Sequence, residues 1–377
     1  MSLFNVYPLF DITPAFAKDV FVYDTNGTEY LDLYGGHAVI SIGHSHPHYV
    51  QRITEQLQKI GFYSNAIQNP LQVDLATKLG QLSDCNDYQL FLCNSGAEAN
   101  ENALKLASFY TNKRKVLAFK NGFHGRTSAA VAATDNPKII APINAQQAVD
   151  FVALGDIEQV EIILQKGETC AVIVEHIQGV GGLDEMSMVF YTAVAKLCKK
   201  YNTLYIADEV QSGFGRTGDF FAFQKHGIVP DIISMAKGMG NGFPVGGILI
   251  HPNLEATFGM LGTTFGGNHL ACVATLAVLE TLEKEALMEH AKKMSSHFIK
   301  KVQSLPKLKN TKGRGLMLGL EFEFPIADLR KALIYEHHIF TGSSKNPNLL
   351  RILPPLTIQK EHIDHFMDAL HQELKKA

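Results

Sequence analysis

Hydrophobic positions alternate between two spacings along the first three quarters of the chain. Short runs of consecutive apolar residues, among them 89–93, 115–119 and 203–207, predict buried strands. Between such runs, apolar residues three or four positions apart predict amphipathic helices, for example over 70–82 and 191–201. Because strands that alternate with helices pair in parallel through crossovers, the pattern favours an α/β fold with a mostly parallel sheet.

The two ends of the chain depart from this alternation. Residues 18–33 alternate apolar and polar positions on either side of Asn26-Gly27, a combination that predicts a β-hairpin. After about residue 285, helical patterns are interspersed with apolar runs over 315–324, 338–341 and 349–353. These runs predict an antiparallel set of strands, and therefore a second, smaller α+β domain.

Several residues with chemically useful side chains lie at or just beyond the predicted strand ends: Ser95, Phe123, Gln178, Asp208 and Lys237. In an open parallel sheet the carboxyl ends of the strands meet at one edge, and ligands bind there. We therefore expect these side chains to lie close together around a ligand site.

Lys237 follows the apolar run 232–236 and opens a glycine-rich turn. Lysine is costly to bury, and a partly desolvated lysine loses its proton easily. Its neutral amine can then form a Schiff base with an aldehyde. Taken alone, the stretch is equally compatible with a surface lysine at the start of a loop.

Ser95 and Glu98 have the spacing of a capping box, which predicts that a helix begins directly after Ser95. The free backbone N–H groups of Gly96 and Ala97, together with the helix dipole, form a site suited to a phosphate. A structural cap without any ligand accounts for the same residues.

A Schiff-base lysine, a buried aspartate and an anion site at a helix start together describe pyridoxal 5′-phosphate (PLP) chemistry. Asp208 against the pyridine nitrogen would keep that nitrogen protonated, and Lys237 would act as the base. Phe123 and Val210 can cover the two faces of the ring. No predicted strand is followed by GxGxxG with a downstream acidic residue, which argues against a dehydrogenase of the Rossmann type.

Composition narrows the partners and the compartment. A net charge of −3 over 377 residues argues against nucleic acid or an anionic membrane as a partner. Five dispersed cysteines without CxxC spacing are typical of a reducing compartment, and His37, His44 and His46 lack the spacing of a metal site. The chain shows neither a signal-peptide pattern nor an apolar span of about 18 residues, so we expect a soluble, cytoplasmic protein without a metal.

Six motifs follow one another along the chain: NSGAEANENALKLA, NGFHGRT, IADEVQSGFGRTG, AKGMGNGFPVGG, GTTFGGNHLAC and RILPPL. Together they resemble the class III aminotransferases, and within that family they look most like the acetylornithine aminotransferases. The resemblance implies a PLP-dependent transferase of fold type I, with a mostly parallel seven-stranded sheet in a large domain and a smaller α+β domain. It implies an N-terminal segment that packs with the small domain, a large PLP-binding domain and a small C-terminal domain: residues 1–45, 46–280 and 281–377.

The resemblance also assigns roles at the cofactor. Lys237 matches the Schiff-base lysine, Asp208 matches the partner of the pyridine nitrogen, and Gln211 would lie near O3′ of the ring. Thr264 matches a threonine that reaches the phosphate of the neighbouring subunit's cofactor, which implies a homodimer with shared active sites. The phosphate-binding turn and the residues on the two ring faces would be Ser95, Gly96, Ala97, Phe123 and Val210.

On the substrate side, Arg126 and Arg351 match two arginines that bind carboxylates, a task for which the planar guanidinium fork is suited. His37 stands where relatives have an aromatic or aliphatic residue that contacts the substrate, and a packing role explains it equally well. Asn65 lies in a stretch that resembles a loop near the substrate entrance, and a turn former is the alternative for it. The implied reaction passes the δ-amino group of an N2-acyl-ornithine to the cofactor and then to 2-oxoglutarate, leaving a semialdehyde and glutamate.

Two residues depart from the family pattern. His176 stands where proline is usual, and Val180 stands where glutamate is usual. In ornithine-type relatives that glutamate pairs with the arginine matching Arg351 while the amine donor is bound. Without it Arg351 is a buried, unpaired cation, which is costly, and a donor with an extra carboxylate such as N-succinylornithine would compensate it. An ornithine- or 4-aminobutyrate-type aminotransferase is the alternative within the family, and a non-catalytic PLP-binding scaffold is the alternative outside it.

Overall fold

A computed structural model describes residues 1–376. The strands are β1 (Pro14–Lys18), β2 (Phe21–Asp24), β3 (Glu29–Asp32), β4 (Gln89–Cys93), β5 (Lys115–Phe119), β6 (Val149–Val152), β7 (Thr169–Val174), β8 (Leu204–Asp208), β9 (Ile232–Met235), β10 (Gly246–Ile250), β11 (Leu308–Arg314), β12 (Met317–Phe322), β13 (Ile339–Phe340), β14 (Gly342–Ser343) and β15 (Leu349–Ile352). The helices are α1 (Gly35–Ala38), α2 (Pro47–Leu57), α3 (Pro70–Ser83), α4 (Gly96–Thr111), α5 (Ser128–Ala132), α6 (Ile157–Leu164), α7 (Met188–Lys200), α8 (His269–Lys284), α9 (Leu287–Val302), α10 (Ala327–Tyr335) and α11 (Lys360–Lys376). Short 3₁₀ segments occupy Pro137–Ile139, Ala222–His226 and Lys237–Met239. Over the described residues, no helix has both the length and the apolar content that crossing a membrane requires.

The central sheet has seven strands in the order β4-β10-β9-β8-β7-β5-β6. Strand β10 runs antiparallel to both of its neighbours, and the remaining neighbours pair in parallel. The predicted α/β fold with a mostly parallel seven-stranded sheet is therefore confirmed. The sequence pattern misses β6, because a four-residue run interrupted by Asp150 carries too little periodicity to be recognised.

The two faces of this sheet are covered by different elements. Every residue of β7, β8 and β9 is buried. On one face, Ala171 and Ile173 pack in a cluster with the small buried residues of α4. On the other face, Val172 and Val174 pack in the larger core that includes Tyr191 of α7. Strand side chains alternate between faces, so residues that are neighbours in sequence at a strand end have different surroundings.

Two smaller sheets flank the central one. Strands β2 and β3 form the predicted antiparallel hairpin, with Gly27 in the turn at φ 82°. Strand β13 pairs in parallel with β3, so the prediction that residues 338–341 belong to the antiparallel C-terminal set is wrong. That set has the order β11-β12-β15-β14. Strand β11, an edge strand with the polar sequence LKNTKGR, is not apparent from hydrophobic pattern because little of it is buried.

Candidate active site

Lys237 lies where the buried strand β9 gives way to a tight turn. Its φ of 50° falls in the left-handed region, which residues with a Cβ adopt only at a cost. The side chain lines a cavity of about 780 Å³. Burial lowers the pKa of Lys237, against the opposing negative charges of Asp208 and Glu175. A lysine in this setting reaches its neutral, nucleophilic form more readily than a surface lysine does.

Asp208 ends strand β8 and is 4% exposed. Its Oδ2 accepts hydrogen bonds from Nδ2 of Asn100 at 2.8 Å and from Nδ1 of His124 at 2.7 Å. Its Oδ1 accepts from the backbone N–H of Val210 at 3.1 Å. The carboxylate is therefore oriented by three donors from three different parts of the chain.

Asn100, His124 and Glu175 belong to this site although sequence reasoning did not single them out. The buried Glu175 follows β7 and accepts from the backbone N–H groups of Phe123 at 2.8 Å and Gly179 at 2.9 Å. Burial opposes protonation of His124, but its hydrogen bond to Asp208 and the charges of Asp208 and Glu175 raise its pKa. Burial is the main cause that raises the pKa of Glu175. The position of Glu175 at a strand end was the one signal that could have identified it.

The turn from β4 into α4 has the features of an anion site. The Ser95 hydroxyl accepts from the N–H of Glu98 at 3.2 Å, as the predicted N-cap requires. The reciprocal half of the capping box differs, because the Glu98 carboxylate accepts from the N–H of Asn94 at 2.8 Å instead. Within residues 1–376, the N–H groups of Gly96 and Ala97 have no acceptor. They are free to bind an anion at the positive end of the helix.

Phe123 and Val210, the two residues expected on the faces of the cofactor ring, lie near different parts of the site. Phe123 lines the same cavity as Lys237. Val210 packs directly on Gly96, where an added Cβ would lie 2.5 Å from Cγ1 of the valine. Glycine is therefore required at position 96 for the anion site and the valine to come this close.

Arg351 projects from β15 into the cavity and is 3% exposed. Its guanidinium donates to the carbonyls of Gly179 at 2.8 Å and Ser343 at 2.5 Å, and to the Tyr34 hydroxyl at 3.3 Å. No carboxylate within residues 1–376 forms an ion pair with it. Gln211 also approaches it, with Oε1 at 3.4 Å from Nη1. Arg351 is thus a buried cation whose protein partners are all neutral oxygens.

Several charged side chains surround the opening of the cavity. Arg126 is exposed and lines the cavity together with Lys138, Lys345 and Val180. The ammonium of Lys345 lies 3.1 Å from the carboxylate of Asp135. Positive charge therefore dominates this rim, and Val180 contributes an apolar surface where a carboxylate would have opposed it.

His37 lies beside the cavity in the kinked helix α1, at φ 70°. Its Nδ1 is 2.5 Å from the Tyr34 hydroxyl, and its carbonyl accepts from Gln211 at 3.1 Å. Partial burial and the positive charges of Arg351 and Lys237 lower its pKa to about 4. At neutral pH the imidazole is uncharged.

Asn65 and Thr264 lie away from Lys237 in this chain. The amide of Asn65 donates to the carbonyl of Gly266 at 3.0 Å and accepts from Gln72 at 3.0 Å, which stabilises the loop before α8. Thr264, on the same loop, is exposed and outside the cavity that Lys237 lines. Gln178 does not line the cavity either. Its amide donates to the carbonyl of Lys120 at 2.9 Å and so connects two loops.

Comparisons with known proteins agree with this geometry. The model of the family described as Aminotransferase class-III matches residues 6–374. The chain is similar to the acetylornithine aminotransferase of Aquifex aeolicus, at 40% identity over 99% of both chains. It is 38% identical to the acetylornithine aminotransferase of Bacillus subtilis, over 99% of this chain and 97% of that one. An ornithine aminotransferase from Toxoplasma gondii, described with partial occupancy of PLP at its active site, has a similar structure, with a TM-score of 0.89 and 26% identity over 98% of this chain and 91% of that one.

Proposed function

The chain belongs to the class III aminotransferases, and on that premise we propose that its amine donor is N2-acetyl-L-ornithine and its acceptor is 2-oxoglutarate. The products are N-acetylglutamate 5-semialdehyde and glutamate, the chemistry expected of an enzyme of arginine biosynthesis. The observation that carries the proposal is the cavity in which Lys237, Arg126 and Arg351 meet. The nearly full-length similarity to acetylornithine aminotransferases supports the choice of donor.

The residues present fit PLP as the cofactor. The unpartnered N–H groups after Ser95 and the absence of room for a Cβ at Gly96 suit a phosphate held close to the backbone. Lys237 would bond to the aldehyde carbon of PLP. Asp208 would pair with the pyridine nitrogen, and Gln211 would lie near the ring hydroxyl. Phe123 and Val210 would cover the ring faces. When bound, PLP supplies the electron sink that stabilises negative charge on the substrate carbon.

Each protein group then has a defined task. Asp208, oriented by His124 and Asn100, holds a proton at the pyridine nitrogen. Lys237, with its lowered pKa, moves a proton between the substrate carbon that carries the amino group and the cofactor carbon that receives it. Arg126 binds the carboxylate that lies far from the reacting carbon, which is the α-carboxylate of the ornithine donor and the γ-carboxylate of 2-oxoglutarate. Arg351 binds the carboxylate next to the reacting carbon, which 2-oxoglutarate and glutamate carry and the donor lacks. His37, neutral at the cavity wall, contacts the substrate without adding charge.

We further propose a cytoplasmic homodimer with shared active sites. Thr264 stands on an exposed loop together with the exposed apolar side chains of Phe258 and Phe265. In the dimer this loop would bring Thr264 to the partner's cofactor phosphate, and Asn65, which stabilises the loop, would approach the partner's substrate. Free, buried cysteines fit a reducing compartment. The pairing of β13 with β3 supports the division into an N-terminal segment, a large domain and a small domain: residues 1–45, 46–280 and 281–377.

N-Succinylornithine is a second candidate donor, favoured by one observation. Arg351 is buried and, among the residues that the structure describes, its guanidinium donates to neutral oxygens alone. Val180 lines the cavity where a compensating carboxylate could stand. A buried cation without a charged partner is costly. A donor that carries an additional carboxylate would supply that partner to Arg351.

A single-turnover absorbance titration tests the proposal. Purified protein loaded with PLP receives N-acetylornithine, N-succinylornithine, ornithine or 4-aminobutyrate in turn, without a keto acid. Conversion of the visible band by an acylated ornithine supports the proposal and identifies the acyl group. Conversion by ornithine or 4-aminobutyrate alone would replace the donor, and no conversion by any amine would support a non-catalytic scaffold. The Lys237→Ala variant is the control, because it removes the base while leaving the substrate arginines in place.

A further inference from the structure

Behind Asp208, on the opposite face of the central sheet, lies a buried polar chain that the proposed reaction does not use. His176 follows β7, and its Nε2 is 3.0 Å from the hydroxyl of Tyr205 in β8. Its Nδ1 is 3.6 Å from Oε1 of Glu209, the residue after Asp208. The side chains of His176 and Glu209 are completely buried. The three side chains therefore join the ends of two adjacent strands through the core.

Glu209 is held by several donors, and His176 lies against its carboxylate. Its carboxylate accepts from Oγ of Ser212 at 2.7 Å and from the N–H groups of Ala222 and Phe223 at 2.9 Å each. The Nδ1 atom of His176 faces the same carboxylate and has no closer partner among residues 1–376. The separation of 3.6 Å between Nδ1 and Oε1 is longer than a hydrogen bond, so this link is a polar contact, whereas the link from Nε2 to the Tyr205 hydroxyl is a hydrogen bond.

The surroundings of His176 keep its imidazole neutral. The ring of His226 stacks on it with centroids 5.5 Å apart, and His226 in turn faces Glu185 at 3.4 Å. Glu185 pairs with Arg314 at 3.0 Å, and the Tyr191 hydroxyl donates to the carbonyl of His176 at 3.0 Å. Burial, together with the positive charges of His226 and Arg314, lowers the pKa of His176 well below its usual value.

The alternation of side chains along a strand connects this chain to the candidate active site. Glu175 and Asp208 face the α4 side of the sheet, where they surround His124. His176 and Glu209, one residue further on, face the α7 side. Because neighbouring residues share a peptide unit, fixing the side chain of Glu209 also restricts the backbone that carries Asp208. The N–H of Glu209 further ties this backbone to the carbonyl of Ser234 at 3.0 Å.

We propose that His176 is a positioning residue for Asp208, and that the Tyr205–His176–Glu209 chain holds the backbone at 208–209 from behind. In this arrangement the three side chains keep the Asp208 carboxylate oriented toward the pyridine nitrogen. They act through the backbone and do not contact the carboxylate. The identity of the ligand rests on the proposed function. The restriction of the backbone is a property of the protein alone, and it can be measured without any ligand.

Three substitutions of His176 separate positioning from packing. In His176→Asn the side-chain amide can occupy the place of Nδ1 and keep a polar N–H facing Glu209, whereas in His176→Gln it occupies the place of Nε2. His176→Phe keeps the ring that packs on His226 but removes both nitrogens. If the ring mattered only for packing, the phenylalanine variant would be the mildest of the three.

The first measurement is hydrogen–deuterium exchange in the cofactor-free protein. We expect the backbone amides of residues 209–212 to exchange about tenfold faster in His176→Phe and His176→Gln than in the wild type, and to stay within about threefold in His176→Asn. The second measurement is the equilibrium affinity for PLP, which should fall about tenfold in the same two variants and recover in the asparagine variant. The pH dependence of the bound cofactor's visible absorbance should change in the same order.

Equal exchange and equal PLP affinity in the wild type and His176→Gln would overturn the proposal, and so would a phenylalanine variant milder than the asparagine variant. Tyr205→Phe is a second variant in case His176→Phe does not fold, because it removes only the hydroxyl that contacts His176. It should raise exchange about threefold alone and add nothing to His176→Gln, whereas additive effects would contradict a single chain. If the wild type bound no PLP at Lys237, the proposed function would fail while the exchange measurements still tested the positioning.

Discussion

Replacing Asp208 by asparagine keeps the shape of the side chain and removes its charge. In the wild type, one carboxylate oxygen accepts from Asn100 and His124, and the other accepts from the N–H of Val210. An amide offers one accepting oxygen, so its NH₂ group must face one of these donors. At least one buried donor therefore loses its acceptor, at a cost of about 1–3 kcal/mol.

The loss of charge adds to this cost. Hydrogen bonds to a charged group contribute about 1.5–3 kcal/mol and neutral ones about 0.5–1.5 kcal/mol, so the bond to His124 alone weakens by about 1 kcal/mol. We expect the Asp208→Asn variant to be less stable by about 3 kcal/mol in total, within the range for breaking a buried charge pair. Urea unfolding of the cofactor-free protein, followed by circular dichroism, measures the difference.

The destabilisation should depend on pH with a definite sign. The pKa of His124 is raised in the folded protein by its hydrogen bond to Asp208, against the effect of burial. A raised histidine pKa contributes stability that is fully present below about 6.5, the usual value, and is lost as the pH rises through the folded value. The Asp208→Asn variant lacks this contribution, so its deficit should be larger near pH 6 than near pH 9.

Asp184→Asn provides the matched control. Asp184 is half-buried and pairs with Lys312 at 2.8 Å, a solvent-accessible ion pair that contributes about 0–1 kcal/mol. Its loss should be small and the same at both pH values. A deficit below about 1 kcal/mol for Asp208→Asn, or a deficit that grows with pH, would refute the reasoning about the Asp208–His124 pair.

The remaining predictions concern catalysis and binding. Lys237→Ala should lower kcat by at least about 10²–10⁴-fold because the proton-transfer base is lost, and steady-state turnover of N-acetylornithine checks this; retained turnover would exclude Lys237 as the base. Gly96→Ala places a Cβ 2.5 Å from Val210, so the affinity for PLP in equilibrium dialysis should fall about tenfold or more, and an unchanged affinity would contradict the proposed phosphate site. Arg351→Lys removes the bidentate fork and should raise KM for 2-oxoglutarate about 10–100-fold, with a smaller change for N-acetylornithine; equal changes for both would show that Arg351 does not distinguish them.

The sequence predicted the chemically active residues of the site more completely than the residues that orient them. Lys237, Ser95 and Asp208 are identified by their positions at strand ends, and the structure places the lysine and the aspartate around one site. Asn100 was missed because it lies in the middle of a helical pattern, where an isolated asparagine carries no local signal. His124 was missed because its glycine-rich loop resembles an ordinary turn until Asp208 is beside it.

Local sequence by itself determined the alternation of strands and helices, the start of α4 at Ser95, and the position of Lys237 at the end of an apolar strand. These features depend on the period of apolar residues and on backbone groups a few positions apart, which the chain carries within short stretches. Only the tertiary structure decided the partners of Asp208, the lack of a carboxylate partner for the buried Arg351 over residues 1–376, and the contacts from Tyr205 through His176 to Glu209. Those contacts join residues that are far apart in the sequence, as Asn100 and His124 are from Asp208. Hydrophobic periodicity specifies which face of a strand is buried, but not which strand will lie beside it.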